Sequence, residues 1–145
     1  RFNMAIQSRR IFVDSSILIS FIDRADPNHP KAVKAIENLA RLKYQLYTSS
    51  LNISDVYAAL ARETGISVAL DFLQATLQSD IEILFPQKAD LITAHRMLRG
   101  NRERQITLRE VLNATLMQKR GVVQILTFTY WHNLFGTYVS NLTIQ

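Results

Sequence analysis

Residues 10–23 of the chain read RIFVDSSILISFID, and this stretch decides the fold. Its beginning, RIFVD, is a short apolar run with β-branched residues between charged side chains, which is typical of a buried strand. The continuation carries Ile17, Leu18, Phe21 and Ile22 at the spacing of one helix face. A buried strand that leads directly into a helix indicates a parallel sheet whose strands are joined by helices.

The alternation of strand and helix continues to the end of the chain. Strand-like runs occupy 44–49, 81–85 and 122–128, and a weak last strand is predicted within 137–144. Apolar residues recur at helical spacing over 31–42, 53–60, 68–77, 89–98 and 107–119, and a short helical turn is predicted within 131–135. We therefore predict an α/β fold of three layers, α/β/α, with a central parallel sheet of four to five strands. Because the 145 residues contain no linker or repeat, we expect a single domain over residues 1–145.

Composition narrows the class of protein. Hydrophobic residues make up 48% of the chain, so a packed core is expected rather than disorder. The absence of cysteine excludes disulfides and thiolate metal sites. No apolar run approaches the ~20 residues of a membrane helix, and the start of the chain is too polar for a secretion signal. We expect a cytoplasmic protein whose net charge of +5 favours polyanionic partners.

Three carboxylates are predicted to meet at one edge of the sheet. Asp14 ends the first strand, while Asp55 and Glu110 lie in the first turns of helices that begin at the same edge. Ligands of open parallel sheets bind outside the carboxyl ends of the strands. Clustered carboxylates repel one another unless a cation neutralises them, and oxygen ligands favour Mg²⁺ or Mn²⁺. Such an ion can activate a water molecule and stabilise a phosphate during hydrolysis.

Each carboxylate also has a purely structural interpretation. Asp14 is placed to cap the helix that follows it, and Asp55 can interact favourably with the dipole of its own helix. Thr107 and Glu110 have the spacing of a capping box. The functional interpretation therefore depends on the joint position of the three acids and not on any one of them.

Three segments resemble motifs of the PIN domain family. Segment 11–32, IFVDSSILISFIDRADPNHPKA, resembles the opening of a PIN domain, in which a strand-ending Asp precedes Ser or Thr and an apolar helix. Segment 47–60, YTSSLNISDVYAAL, is similar to the second motif of the family. Segment 106–136, ITLREVLNATLMQKRGVVQILTFTYWHNLFG, is similar to its C-terminal half. In order and spacing the chain is most similar to the small VapC-type toxin nucleases of bacterial and archaeal toxin–antitoxin pairs.

The resemblance implies which residues carry the chemistry. The first acid of the family falls on Asp14, the second, usually Glu, on Asp55, and the third, usually Asp, on Glu110. The fourth, commonly Asp or Asn, falls on Thr129, which carries no charge. Asp14, Asp55 and Glu110 are therefore the expected metal ligands, and Thr129 completes the expected catalytic set. The missing charge favours one Mg²⁺ or Mn²⁺ ion over a pair.

The residues expected to contact the substrate lie mostly in the segment that leads to Glu110. Arginines there can fork onto phosphate oxygens, with a solvated surface as the alternative. The expected substrate-binding residues are Ser15, Thr48, Arg99, Arg102, Arg104 and Arg109. Tyr130, Trp131 and His132 are candidates for stacking on bases, although completion of a small core is the favoured interpretation of Trp131.

The resemblance implies a divalent-metal-dependent endoribonuclease that hydrolyses single-stranded RNA and acts as the toxin of a toxin–antitoxin pair. It also implies a homodimer and a small antitoxin protein as partner. The altered acids leave open a catalytically impaired PIN-like domain that binds RNA or protein. A phospho-receiver domain is disfavoured, because Asp14 lacks an acidic neighbour and no Asp follows the third predicted strand.

Overall fold

The computed structural model of the chain describes residues 9–141. The strands are β1 (Arg10–Val13), β2 (Gln45–Ser49), β3 (Glu82–Leu84), β4 (Gln124–Leu126) and β5 (Tyr138–Val139). The helices are α1 (Ser15–Ile22), α2 (His29–Arg41), α3 (Ser50–Glu63), α4 (Ile66–Gln78), α5 (Lys88–Gly100) and α6 (Leu108–Arg120), with 3₁₀ turns at Arg102–Arg104 and Leu134–Gly136. The strands form one parallel sheet in the order β3-β2-β1-β4-β5. The predicted three-layer α/β/α fold is confirmed.

The central strand β1 is buried on both faces. Ile11 and Val13 pack on one face against α1 and α2, while Phe12 packs on the other against α5 and α6. None of the three side chains is exposed to solvent. A strand buried on both faces appears in the sequence as an unbroken apolar run, which is why this segment could be recognised from its residues alone.

Helices α3 and α4 pack together beside α1. Val56 and Leu60 of α3 and Phe72 of α4 form a buried cluster with partly buried residues of α1, among them Leu18 and Ile22. Val56 and Leu60 are therefore core, while Ile53 and Tyr57 on the same face of α3 are partly buried.

Two helices begin at the carboxyl edge of the sheet with a hydroxyl cap. The Asn52 backbone N–H donates to Ser49 Oγ at 3.1 Å at the start of α3, and the Glu110 N–H donates to Thr107 Oγ1 at 3.1 Å at the start of α6. Each cap satisfies a backbone donor that has no partner inside its helix. The caps thereby fix the positions of the first turns, from which several polar side chains project.

Strand β4 is shorter than the predicted run 122–128, because backbone groups at both ends have other partners. The Val122 N–H donates to Met117 O at 2.9 Å and so closes the end of α6. The Phe128 N–H donates to Ser16 Oγ at 3.0 Å. Strand β5 covers two residues of the predicted 137–144, of which 142–144 lie outside the described residues, as do residues 1–8 of the polar start. Within residues 9–141, every helix is too short or too polar to span a lipid bilayer.

Asp90 connects α5 to α6. The Gln87 backbone N–H donates to Asp90 Oδ2 at 2.8 Å, and Lys119 Nζ lies 3.0 Å from Asp90 Oδ1. Burial raises the pKa of Asp90, but the hydrogen bonds from Gln87 and Lys119 outweigh it and hold the pKa below its usual value. Because the charged carboxylate is the favoured form, this contact stabilises the pair of helices at neutral pH.

Candidate active site

Asp14 lies at the switch point of the sheet, where the chain order reverses between β1 and β4. Its side chain is only 6% exposed, and Oδ2 accepts hydrogen bonds from Ser16 Oγ at 3.1 Å and Thr127 Oγ1 at 2.8 Å. Asp14 occupies the N-cap position of α1, yet its side chain makes no capping hydrogen bond. Its carboxylate therefore faces the site that parallel sheets use for ligands.

The guanidinium of Arg109 lies between two of the predicted acids. Nη2 donates to Asp14 Oδ1 at 2.9 Å, and Nε lies 2.6 Å from Asp55 Oδ2. The same Nη2 also contacts Ser15 Oγ and, at 2.8 Å, Asn52 Oδ1. The Asp55 side chain is 52% exposed, so the contact with Asp14 is the more protected of the two ion pairs.

A buried amide network lies beneath Arg109. Asn52 Oδ1 accepts from Arg109 and, at 3.1 Å, from Asn113 Nδ2, while Asn52 Nδ2 donates to Thr48 Oγ1 at 3.2 Å. Asn113 Oδ1 in turn accepts from Ser49 Oγ at 2.6 Å. These contacts fix the orientation of the Asn52 amide, so that its oxygen points at the guanidinium.

Glu110 has a different partner. Its Oε2 accepts the His132 backbone N–H at 2.6 Å, and its Oε1 lies 2.7 Å from His132 Nδ1. His132 Nε2 lies 3.1 Å from the carbonyl oxygen of Arg104. Both ring nitrogens of His132 therefore face oxygen acceptors. Glu110 and His132 thus form a nearly buried pair, with side chains 10% and 15% exposed.

The three predicted metal ligands do not come together in this arrangement. Within the described part of the chain, no three Asp, Glu or His residues form a group that could hold a metal ion. Arg109 neutralises Asp14 and Asp55, and His132 holds Glu110. A hard cation needs free carboxylate oxygens, so the residues as placed do not fit Mg²⁺ or Mn²⁺. The roles of these acids as metal ligands stay predictions.

The hydroxyl residues of the predicted site have different surroundings. Thr129 is exposed, and its Oγ1 lies 3.0 Å from Thr127 Oγ1, which binds Asp14. Ser15 contacts Arg109 directly. Thr48 is fully buried and donates to the Val13 carbonyl at 2.9 Å. Its burial places Thr48 out of reach of RNA and corrects the expectation of a substrate contact there.

The arginine-rich stretch 99–104, called here the basic segment, ends α5 and continues into a 3₁₀ turn. Its arginines are exposed: Arg99, Arg102 and Arg104. Arg104 Nη2 donates to the His132 carbonyl at 3.2 Å, which connects the segment to the partner of Glu110. The basic segment is therefore adjacent to the carboxyl edge, and its arginines are accessible to a polyanion.

The aromatic residues after β4 separate into one core residue and one surface residue. Trp131 is 7% exposed, and its Nε1 donates to Thr137 Oγ1 at 2.9 Å, which confirms the core interpretation. Tyr130 is 79% exposed and meets the His132 ring edge-to-face at a centroid distance of 4.8 Å. Tyr130 remains available for stacking on a base.

The supporting residues of the site were not predicted. Asn113 follows Arg109 by one helical turn on α6 and lies on the same side, a polar pair within a largely buried helix that the sequence pattern could have revealed. Asn52 lies three residues after the cap residue Ser49 and donates its backbone N–H to the Ser49 hydroxyl. The partnership of Glu110 with His132 has no local signal, because tertiary packing alone brings them together.

The parallel sheet, the strand-ending acid and an acidic residue on each of two later helices define a class of protein. Glu110 lies in the first turn of α6 as predicted, whereas Asp55 lies in the second turn of α3 and not in its first. The family model described as PIN domain matches residues 11–128. The chain therefore belongs to the PIN domain family.

Within that family the chain is similar to VapC proteins. It is 28% identical over 122 residues to Ribonuclease VapC1 of Aquifex aeolicus (strain VF5), covering 84% of this chain and 83% of the relative. The structure of Mycobacterium tuberculosis VapC20, described as a Sarcin-Ricin loop cleaving toxin, superimposes with a TM-score of 0.72 at 21% identity, covering 82% of this chain and 89% of that one. The structure of VapBC2 from Rickettsia felis, bound to a DNA fragment from their promoter, gives a TM-score of 0.67 at 14% identity, with 90% and 97% covered. The predicted resemblance to VapC-type PIN domains is confirmed.

Proposed function

We propose that the chain is an endoribonuclease of the VapC type that hydrolyses phosphodiesters of single-stranded RNA in the cytoplasm, as the toxin of a toxin–antitoxin pair. Membership of the PIN family and the similarity to Ribonuclease VapC1 support this proposal. The observation that carries it is the position of Asp14 at the switch point, with the exposed basic segment adjacent to the same edge.

The basic segment and Tyr130 suit the binding of a single strand. Exposed arginines attract phosphates along a strand without requiring a sequence, and Arg forks match phosphate oxygens. Tyr130 offers an exposed ring on which a base can stack. In the proposed complex these residues position the RNA, and Asp14, Asp55, Glu110 and Thr129 form the catalytic set.

The predicted cofactor is Mg²⁺ or Mn²⁺. Its binding by Asp14 and Asp55 would require that their oxygens be released from Arg109, and Glu110 would have to leave His132. The ribonuclease assay must therefore include high ion concentrations as well as a chelator.

The test is cleavage of a mixed panel of single-stranded RNAs with Mg²⁺ or Mn²⁺ and with EDTA. The wild type is compared with Asp14→Asn and with Asp71→Asn, a control at an exposed position of α4. We expect ion-dependent cleavage by the wild type and the control but not by Asp14→Asn. Cleavage that survives in Asp14→Asn would point to a contaminating nuclease and against this site.

A second candidate is a PIN domain that binds RNA or a protein without cleaving RNA. The ion pairs of Arg109 with both Asp14 and Asp55 favour it, because they occupy the carboxylates on which hydrolysis would depend. Fluorescence polarisation with a labelled single-stranded RNA separates the two candidates. Saturable binding with no cleavage at any ion concentration would establish the second candidate.

We also propose an antitoxin partner and a homodimer. Val56 and Leu60 of α3 are buried and cannot contact a partner. Exposed apolar residues lie instead on α4, where Ile66 and Leu70 are 57% and 51% exposed. A separate groove of about 520 Å³, lined by residues of α1, α2 and α4, suits an apolar segment of a partner. Light scattering of the purified chain measures the oligomeric state directly.

A further inference from the structure

Arg109 has the contacts of a bound cation rather than those of a surface side chain. One guanidinium meets two carboxylates, through Nη2 at 2.9 Å from Asp14 and Nε at 2.6 Å from Asp55. Surface arginines usually exchange between partners and water at little cost. Here the Asp14 carboxylate is only 6% exposed, so water has less access to it than to the partner of a surface arginine.

The position of the guanidinium is set by neighbours that are themselves fixed. Nη2 carries two hydrogens and is shared among three oxygens, those of Asp14, Ser15 and Asn52. The Asn52 amide is fully buried and oriented by Asn113. Because Arg109 lies in the first turn of α6, the cap at Thr107 fixes its backbone as well. The guanidinium is thus held in place by contacts that do not depend on a ligand.

A divalent ion would compete with this guanidinium for the same oxygens. Carboxylate pairs bind Mg²⁺ or Mn²⁺ because their negative charges reinforce each other at the ion. A positive charge close to both carboxylates opposes that field, and its Nη2 occupies Asp14 Oδ1 with a hydrogen bond. Glu110 cannot make up the loss while it accepts two hydrogen bonds from His132.

We infer that Arg109 is the resident cation of this site, so that the chain as folded binds Mg²⁺ or Mn²⁺ at Asp14 and Asp55 far more weakly than it would without the guanidinium. The inference goes beyond the proposed ribonuclease activity and does not require that RNA be the ligand.

The test is calorimetric titration of the full chain with MnCl₂ in the absence of RNA. Arg109→Gln removes the charge and keeps a polar side chain, while Arg109→Lys retains a positive charge as the matched control. We expect Arg109→Gln to bind Mn²⁺ about tenfold more tightly or better, and Arg109→Lys to remain close to the wild type. The gain should disappear in the double variant with Asp14→Asn, which identifies the site. Equal Mn²⁺ affinities for the wild type and Arg109→Gln would overturn the inference.

A second measurement covers the case in which Arg109→Gln does not fold. The wild type and Asp14→Asn are titrated side by side, with circular dichroism to confirm that both are folded. We expect the same weak Mn²⁺ binding from both proteins, since Asp14 is already neutralised. Micromolar Mn²⁺ binding by the wild type that is lost in Asp14→Asn would show that Arg109 yields to the ion, and the inference would fail. Neither titration contains RNA, so a failure here leaves the ribonuclease proposal intact, and an absence of RNA cleavage leaves this inference intact.

Discussion

Arg109 and Glu110 are neighbours in the sequence but face different parts of the molecule. Consecutive residues of an α-helix point about 100° apart, so only one of them can face Asp14. Arg109 takes that direction and pairs with two carboxylates, while Glu110 turns to His132. At the scale of single residues, the rotation of α6 about its axis therefore decides whether a positive or a negative side chain faces Asp14.

The Glu110–His132 pair provides a test at this scale. We expect His132→Ala to lower the free energy of unfolding by about 1–3 kcal/mol, because it removes one of the donors to a nearly buried carboxylate. Urea denaturation at pH 7 measures the change. His95→Ala, at an exposed position of α5, is the matched control and should stay within about 0.5 kcal/mol of the wild type. A loss no larger than that of the control would mean that water replaces the imidazole without cost.

Helix α6 is the element that organises the site. Its first turn carries the cap residue and both charged residues, and Asn113 one turn later completes the amide network. Its last turn carries Lys119, which pairs with Asp90 of α5. A displacement of this one helix would therefore disturb both the candidate site at the carboxyl edge of the sheet and the contact between α5 and α6.

The cap of α6 gives a first prediction for this element. Thr107→Ala should cost about 0.5–2 kcal/mol of stability, because the Glu110 N–H loses its acceptor. Thr107→Ser keeps the hydroxyl and should restore most of the stability. Thermal unfolding of the three proteins under one condition is sufficient, and equal melting temperatures for the Ala and Ser variants would contradict the prediction.

The contact between Asp90 and Lys119 gives a pH dependence. The pKa of Asp90 in the folded chain lies below its usual value of 3.8, so the charged carboxylate contributes stability that is complete above that pH. This contribution is lost as the pH falls through the lowered pKa. We expect Asp90→Asn to be less stable than the wild type at pH 7 and the difference to shrink towards pH 3.

Urea midpoints measured at several pH values test this dependence, with Asp71→Asn as an exposed control that should follow the wild type throughout. A stability difference between Asp90→Asn and the wild type that does not change with pH would show that the cost comes from packing and not from charge.

The strands and helices could be predicted from the sequence for physical reasons that are local. β1 is buried on both faces and is therefore apolar throughout, and Gly121 ends α6 with a φ of 74°, a conformation that favours glycine. The partners of the site could not be predicted in this way. The pairing of Arg109 with Asp14 and Asp55 depends on the rotation of α6 about its axis, which has no signal in the local sequence. The expected contact of Arg109 with RNA stays a prediction.

The charge distribution of the whole molecule bears on RNA binding. The net charge of +5 is modest, but the basic segment concentrates exposed arginines beside the carboxyl edge. Binding that relies on phosphate contacts releases counterions, so the salt dependence of the affinity reports how many phosphates the protein neutralises. Affinity measured at a single salt concentration cannot do so.

We expect the double variant Arg99→Gln/Arg102→Gln to weaken binding of single-stranded RNA and to reduce the slope of log K against log salt. The slope should fall by about 0.7 for each phosphate that the variant no longer neutralises. Fluorescence polarisation across a salt series gives both quantities. Arg41→Gln/Arg62→Gln removes the same charge from exposed positions of α2 and α3 and should leave the slope closer to that of the wild type. An equal effect of the two double variants would mean that net charge alone governs binding.

The ion pair between Arg109 and Asp14 also has a consequence for how this protein responds to its surroundings. A domain whose central carboxylates depend on an external ion is only as stable as the supply of that ion allows, because binding and folding are linked. This chain encodes the counter-charge in its own sequence, one position before Glu110. The arrangement of Asp14, Asp55 and Arg109 should accordingly be the same in a magnesium-starved cell and in a magnesium-rich one. A chelator should leave the melting temperature of the protein unchanged.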